Sequence, residues 1–163
     1  MLRRLRPEDV ETLRRWHADP RYMEHLGGEP TDDPADTDTA VARWTAHWER
    51  HGFGLLAVEH RETGTLVARG GPQYHRSWPD DPEVGWAVDP EWWGQGIATE
   101  LGSACVGWVL GPLGFPRAVS ITTEANVASR RVMAKLGFSL LTKVHDPLNA
   151  GELWVHSLDA PLD

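Results

Sequence analysis

A glycine-rich turn between a strand and a helix constrains the fold of this chain more than its other features. Glu83 to Val88 (EVGWAV) predicts a strand, Asp89-Pro90 breaks it, and Trp93-Gly94-Gln95-Gly96 leads into a helix from Ile97. Glycines let a backbone turn tightly and approach a ligand closely. The first turn of a helix presents unpaired N–H groups at its positive dipole end. The turn therefore predicts an anion cradle suited to a phosphate or pyrophosphate.

The cradle differs from two common phosphate loops. No Gly-Lys-Ser/Thr follows it, so it is not a P-loop, and the third glycine of the dinucleotide fingerprint is missing. A cofactor held mainly by backbone amides fits better than a nucleotide undergoing phosphoryl transfer. Two glycines in a strand-to-helix turn are also a common structural device, so the loop alone leaves a purely structural role open.

The other segments predict a mixed α/β domain. The first half of the chain predicts a strand at Leu2 to Leu5, a helix opened by Pro7, and a second helix capped at Asp38 or Thr39 and ended by Gly52. Further strands are predicted at Phe53 to Glu59, Thr65 to Gly70 and Ala118 to Thr122. A helix capped by Asn126 and ended by Gly137 follows, and closing strands are predicted at Phe138 to Val144 and Glu152 to Leu158. Most neighbouring strands in this order run antiparallel, with one parallel step across a helix.

Tryptophan is the unusual component of the composition, with 9 Trp against 3 Phe and 2 Tyr. Helical spacing predicts that Trp16, Trp44, Trp48 and Trp108 lie in the core. The helix from Ile97 is predicted to bury one face, which carries Ile97, Leu101, Ala104, Cys105 and Trp108.

Length and charge limit the functional classes. A chain of 163 residues suits one domain, residues 1–163. The net charge of −8 argues against nucleic-acid and anionic-membrane partners, which require a basic face. One cysteine excludes an internal disulfide. No signal peptide or membrane-spanning run is evident, so a cytoplasmic protein is expected.

A second motif lies downstream of the glycine loop. Asn126, Ser129, Val132 and Lys135-Leu136-Gly137-Phe138 spell N-x-x-S-x-x-V-x-x-K-L-G-F, and Val88 to Ala98 spells V-x-P-x-x-W-G-x-G-x-A. This pair resembles the GCN5-related N-acetyltransferase (GNAT) superfamily over nearly the whole chain. The E-V-G-W and W-W-G-Q-G-I-A-T-E segments are similar to its RimJ/RimL-like branch, the ribosomal-protein N-acetyltransferases.

The resemblance implies a fold and a cofactor. The fold is that of the acyl-CoA N-acyltransferases, a single and mostly antiparallel central sheet flanked by helices, with the fourth and fifth strands parallel and splayed at the cofactor site. The cosubstrate implied is acetyl-CoA, and no metal is expected. Its implied contacts are Trp86, Ala87, Val88, Trp93, Gly94, Gln95, Gly96, Ile97, Ala98, Thr99, Asn126 and Ser129.

Direct acetyl transfer requires a base for the amine and an acid for the departing thiolate. Many superfamily members use a tyrosine as the acid, but the matching position here is Met133, which cannot donate a proton. In the RimL-like branch a strand glutamate and a helix serine form the proposed pair, and the matching residues are Glu83 and Ser129. A solvated carboxylate and a helix-capping serine are the structural alternatives for these two positions.

The acceptor is expected to be a cationic amine. Glu29 to Asp38 (EPTDDPADTD) is predicted to be an acidic loop, and Tyr74 to Asp81 (YHRSWPDD) an acidic and aromatic turn. A protein N-terminus and a small molecule such as an aminoglycoside, a polyamine or another amine metabolite all qualify. A non-catalytic acyl-CoA-binding module is a further alternative, and a homodimer is compatible with the sequence.

Two other groups of reactive residues are expected to be structural. Cys105 is predicted to be a buried core residue. His47 and His51 have the spacing of helical metal ligands, but the zinc-protease motif is absent and no third ligand is evident.

Overall fold

A computed structural model describes residues 1–146 and 151–161. Its strands are β1 (Leu2–Arg4), β2 (Leu56–Glu59), β3 (Leu66–His75), β4 (Trp78–Val88), β5 (Arg117–Thr122), β6 (Ser139–Asp146) and β7 (Gly151–Asp159). Its α-helices are α1 (Val10–Ala18), α2 (Pro20–Met23), α3 (Pro34–His51), α4 (Ile97–Leu110) and α5 (Val127–Leu136). Two short 3-10 helices, Pro7–Asp9 and Pro90–Trp92, precede α1 and the glycine loop.

The strands form a seven-stranded sheet in the order β1-β2-β3-β4-β5-β7-β6. β4 and β5 are parallel, with Glu83 opposite Val119. Antiparallel pairing joins β1 to β2, β2 to β3, β5 to β7 and β6 to β7. The parallel step is bridged by α4, as expected for two parallel neighbours connected through a helix. The predicted mixed α/β class, with a mostly antiparallel sheet and one parallel step, is confirmed.

The start of α3 was predicted too late. The helix begins at Pro34 with Asp33 as its N-cap, and the Asp33 carboxylate accepts a hydrogen bond from the Ala35 amide at 2.9 Å. A capping aspartate followed by proline is a strong helix start, because proline at the first helical position lacks the N–H that would otherwise be unpaired. Half of the predicted acidic loop is therefore helix.

The turn predicted at Tyr74 to Asp81 is much shorter in the structure. β3 continues to His75 and β4 begins at Trp78, so the two strands flank a short turn. The predicted strand at Glu83 to Val88 is the second half of β4. Pro79 and Pro82 disfavour a strand locally, and the sheet overrides that preference.

The described residues form two compact units. The first comprises Met1–Gly70 and Trp86–Ile97, and its core contains Leu13, Trp16, Tyr22, Trp44, Leu55, Ala57, Leu66 and Ala87. The predicted burial of Trp16 and Trp44 is confirmed, and Trp48 is half-buried, with its indole donating to the Leu55 carbonyl at 2.8 Å.

The second unit comprises Gly71–Gly85 and the described residues from Ala98 onward. Its buried apolar residues include Val84, Leu101, Cys105, Val109, Val119, Met133 and Val155. The buried face of α4 is rotated from the prediction: Gly102 and Val109 are buried, whereas Ala104 is exposed and Trp108 half-buried. α5 has the predicted Asn126 cap and ends at Gly137, whose φ is +91°.

Within the described residues, no helix has both the length and the apolar character needed to cross a membrane.

Candidate active site

The segment after β4 is fixed to the first unit by Asp89. One Asp89 carboxylate oxygen accepts from the Glu91 amide at 2.9 Å and caps the 3-10 helix. The other accepts from the Trp16 indole at 2.8 Å, and the Asp89 amide donates to the Val67 carbonyl at 2.9 Å. Because Trp16 and Val67 lie on α1 and β3, the approach to the glycine loop is fixed on two sides.

The glycine loop has the backbone geometry of an anion cradle. Gly94 and Gly96 have φ of +78° and +84°, in the left-handed region that glycine adopts without strain. Gly96 is followed by helical Ile97, and a left-handed residue before a right-handed one turns successive N–H groups toward a common centre. Both glycines are exposed, and a Cβ at either would meet no atom of the described residues within 4 Å. The glycine side of the loop is therefore open to solvent at the start of α4.

The end of β4 lies beside this loop in the chain. Ala87 is buried, and Trp86 and Val88 are half-buried. The Trp93 indole donates to the Val88 carbonyl at 2.8 Å, while 52% of the Trp93 surface is exposed. Trp93 thus bridges the loop to the strand that precedes it, which is a role that sequence reasoning did not assign to it.

Glu83 is buried in the sheet of the second unit, with 7% of its surface exposed. Gln73 on β3 donates to its carboxylate at a long 3.4 Å, and Oε1 lies 3.8 Å from the position that a Cβ on Gly85 would occupy. The structural alternative for Glu83, a solvated carboxylate at a strand end, is therefore wrong.

Burial raises the pKa of the Glu83 carboxyl from its ordinary 4.5 to about 7, because water no longer stabilises the charged form. Hydrogen bonds from Gln73 and from the Ile121 backbone, and the positive charge of Arg76, lower the pKa of Glu83 but do not overcome burial. Arg76 itself is paired with the buried Asp146 at 2.8 Å. A carboxyl with this pKa exchanges a proton readily at neutral pH.

Asn126 and Ser129 open α5. The Asn126 side-chain oxygen accepts from the Ser129 backbone amide at 3.0 Å, which makes Asn126 the predicted N-cap. This bond uses the Ser129 amide, so the cap does not depend on the serine hydroxyl. Ser129 is half-buried, and Met133 one turn further on is buried in the core.

Topology places two helix N-termini at the same end of the parallel pair. α4 follows the carboxyl end of β4, and α5 follows the carboxyl end of β5, where open α/β sheets bind ligands. The Ser120 hydroxyl on β5 donates to the Val84 carbonyl on β4 at 2.9 Å. This bond joins β5 to β4 next to Glu83. In the second unit, Glu83 and the helix that carries Ser129 in its first turn are thus positioned by the same two strands.

Residues 1–139 match the family model described as the acetyltransferase (GNAT) domain. This chain belongs to the GNAT acetyltransferase family. The match covers the glycine loop, Glu83 and the α5 cap. The protein is an acyltransferase.

Similar proteins support the same family. The uncharacterized N-acetyltransferase YoaA of Bacillus subtilis is 25% identical over 142 residues, which cover 85% of this chain and 78% of that protein. An acetyltransferase from Agrobacterium tumefaciens, known from its crystal structure, is 30% identical in sequence to this chain. The two superpose with a TM-score of 0.83 over 96% of this chain and 88% of that one. The spermidine N-acetyltransferase of Vibrio cholerae, solved with CoA and spermine, shares the fold at 14% identity, with a TM-score of 0.79 and coverage of 98% and 94%.

The single cysteine, Cys105, is buried in the core. Cys105 is 1% exposed, and burial raises the pKa of its thiol to about 12, so the reactive thiolate is negligible at neutral pH. This confirms the prediction of a buried core cysteine.

His47 and His51 stack at 4.5 Å between ring centroids, and a His47 ring nitrogen lies 2.9 Å from the Phe53 carbonyl. Over the ranges 1–146 and 151–161, no group of three potential metal-ligating side chains is found.

Proposed function

We propose that this GNAT enzyme transfers an acetyl group directly from acetyl-CoA to a primary amine, with Glu83 as the general base. The observation that carries the proposal is the burial of Glu83 beside the parallel strand pair, with a pKa of about 7. A base is most effective when its pKa lies near the working pH. An ordinary surface glutamate is a much weaker base.

The residues of the glycine loop fit acetyl-CoA. The open Cβ positions and left-handed backbone of Gly94 and Gly96, followed by the first-turn amides of α4, suit a pyrophosphate without a lysine or a metal ion. Gln95, Ile97, Ala98 and Thr99 would supply further amides from the same turn. Trp86, Ala87 and Val88 would offer backbone groups to the extended arm of the cosubstrate. Asn126, the N-cap of α5, is a further proposed contact.

Acetyl-CoA supplies a thioester, whose carbonyl carbon bonds to the amine nitrogen as its bond to sulfur breaks. The acceptor must first lose a proton, because an amine of lysine type has a pKa near 10.4. The Glu83 carboxylate would take this proton, through a water molecule where the amine does not reach it directly. The Ser129 hydroxyl would donate a hydrogen bond to the departing sulfur and stabilise its developing charge.

The acids of the Glu29 to Asp38 segment bear on the charge of the acceptor. Three of the five acids in the Glu29 to Asp38 segment are engaged locally: Asp33 caps α3, Asp36 accepts from the Thr31 hydroxyl at 2.7 Å, and Asp38 pairs with Arg14 at 3.0 Å. Of these three acids only Asp38 is paired with a positive charge, because hydrogen bonds from the Ala35 amide and the Thr31 hydroxyl do not neutralise a carboxylate. The segment therefore keeps most of its negative charge. We therefore propose a primary amine as the acceptor class, with protein N-termini and small-molecule amines as the two groups to be separated by experiment.

An acceptor screen tests the proposal. The enzyme is incubated with acetyl-CoA and with polyamines, aminoglycosides, amino acids and a peptide library that varies the N-terminus, and free thiol release is recorded. Glu83→Gln should lower turnover by about 100-fold with the best acceptor, the lower end of general-base effects, while CoA binding stays intact. The exposed Glu8→Gln, outside every segment assigned to the site, is the matched control and should retain full activity.

Two outcomes of the screen contradict the proposal. CoA binding without thiol release for every acceptor would instead support a non-catalytic acyl-CoA-binding module. Near-normal turnover of Glu83→Gln would remove Glu83 from the mechanism.

Other features remain predictions. They are membership of the RimJ/RimL-like branch, with a protein N-terminus as acceptor, a single domain over residues 1–163, a cytoplasmic location and a homodimer.

A further inference from the structure

A groove in the second unit lies between α5 and the strands β6 and β7. Its walls include Val127, Arg130 and Arg131 on α5, Phe138 just after the helix, and Trp154 and His156 on β7. The groove has a volume of about 480 Å³, within the range of small-molecule sites. The proposed acetyl-transfer mechanism uses none of these residues.

One wall of the groove is held in a fixed geometry. The guanidinium carbon of Arg130 lies 4.9 Å from the Trp154 ring centroid, and Lys143 Nζ lies 4.5 Å from the same ring. The Trp154 indole donates to Glu152 at 3.2 Å, and Glu152 pairs with Lys143 at 2.8 Å. A wall that is ordered before binding loses little conformational entropy when a ligand arrives.

His156 lines the groove with a largely buried imidazole. The residue is 8% exposed, and within residues 1–146 and 151–161 its buried Nδ1 has no hydrogen-bond partner of good geometry. A buried polar group without a partner costs about 1–3 kcal/mol. Burial lowers the pKa of His156, and the Arg130 charge adds to this, while a contact with the Trp154 backbone opposes it without overcoming it. The ring is therefore neutral at pH 7 and carries one N–H donor.

The charge of the groove is opposite to that of the chain. Arg130 donates to the Glu124 backbone carbonyl, not to a carboxylate. Within residues 1–146 and 151–161, neither Arg130 nor Arg131 forms an ion pair. Two uncompensated cations over an apolar floor, in a protein of net charge −8, are complementary to an anion with an apolar body.

We propose that this groove binds a small organic anion, an aromatic carboxylate in its simplest form, at a site separate from the acetyl-transfer residues. Arg131 and Arg130 face the carboxylate, the His156 ring donates a hydrogen bond to it, and Phe138 and Val127 contact the hydrocarbon part. The size of the groove favours a small molecule over a protein segment.

Calorimetric titration with 2-naphthoate tests the site, with the neutral 2-naphthylmethanol as the matched ligand. Naphthoate should bind at one saturable site, about fivefold or more tightly than the alcohol, and added salt should weaken it. Arg131→Gln should weaken naphthoate by about fivefold. Lys135→Gln removes the same charge from the same helix outside the groove and should leave binding unchanged.

His156→Phe separates a ligand role from a purely structural one. The variant removes the unsatisfied nitrogen, so it should be as stable as the parent protein or more so while binding naphthoate more weakly. Equal binding of naphthoate and its alcohol, equal losses in Arg131→Gln and Lys135→Gln, or no binding at all would overturn the proposal. Unchanged binding in both Arg131→Gln and His156→Phe would place the probe elsewhere and overturn it too.

Discussion

Replacing Glu83 by glutamine is expected to stabilise the protein at alkaline pH while removing most of its activity. The Glu83 pKa is raised from 4.5 to about 7 in the folded state. Because the folded state holds this proton more tightly than the unfolded state, the free energy of unfolding falls as pH rises from the lower to the higher value. Glutamine is neutral at every pH and carries no such penalty.

The magnitude follows from the two pKa values. One pKa unit corresponds to 1.36 kcal/mol, so a carboxylate at this site costs about 3 kcal/mol once pH exceeds both values. At about pH 5.5 the folded state keeps Glu83 protonated and the penalty is roughly 1.4 kcal/mol. The advantage of Glu83→Gln over the parent protein should therefore grow by about 2 kcal/mol between about pH 5.5 and pH 8.5.

Urea unfolding of both proteins at the two pH values measures how the difference between their free energies of unfolding changes with pH. The contributions of most other titrating groups are the same in both proteins and cancel in this comparison. An advantage of Glu83→Gln that stays constant with pH would refute the reasoning, because folding would then leave the Glu83 pKa unchanged. An advantage that reverses at alkaline pH would refute it as well, because the folded state would then stabilise Glu83 as a carboxylate.

Three further variants test the rest of the site. Ser129→Ala should slow the chemical step by about tenfold in single-turnover measurements, with acetyl-CoA affinity retained, if its hydroxyl assists the departing sulfur; an unchanged rate would exclude that role. Gly96→Ala should raise the KM for acetyl-CoA by about tenfold because it strains a left-handed residue in the cradle, whereas Gly64→Ala, with a φ of +68°, imposes similar strain away from the loop and should leave KM unchanged. Asn126→Ala removes the α5 cap and should lower the free energy of unfolding by about 1 kcal/mol in urea titrations; a loss close to zero would show that the cap is dispensable.

Features set by local chemistry were predictable from the sequence. The Asn126 cap, the Gly137 terminus of α5 and the glycine turn after Asp89-Pro90 depend on residues close in the chain. The start of α3 was also written locally, in Asp33-Pro34, but the surrounding acids and prolines are equally typical of a loop.

Features set by distant residues were not predictable. The pKa of Glu83 depends on burial and on Gln73, Arg76 and Ile121, which adjacent strands and the intervening turn bring around it. The hydrogen bond from Trp16 to Asp89 joins residues 73 positions apart. The groove beside α5 requires that helix to pack next to β6 and β7. Local propensity carries no information about these contacts.

The pH dependence of turnover tests the central claim most directly. A general base must be deprotonated, so kcat at saturating acetyl-CoA and acceptor should rise through about pH 7 in the parent enzyme, where Glu83 loses its proton. In Glu83→Gln this rising limb should disappear and turnover should stay low throughout. A limb near pH 7 that persists in Glu83→Gln, with turnover close to that of the parent enzyme, would contradict the account.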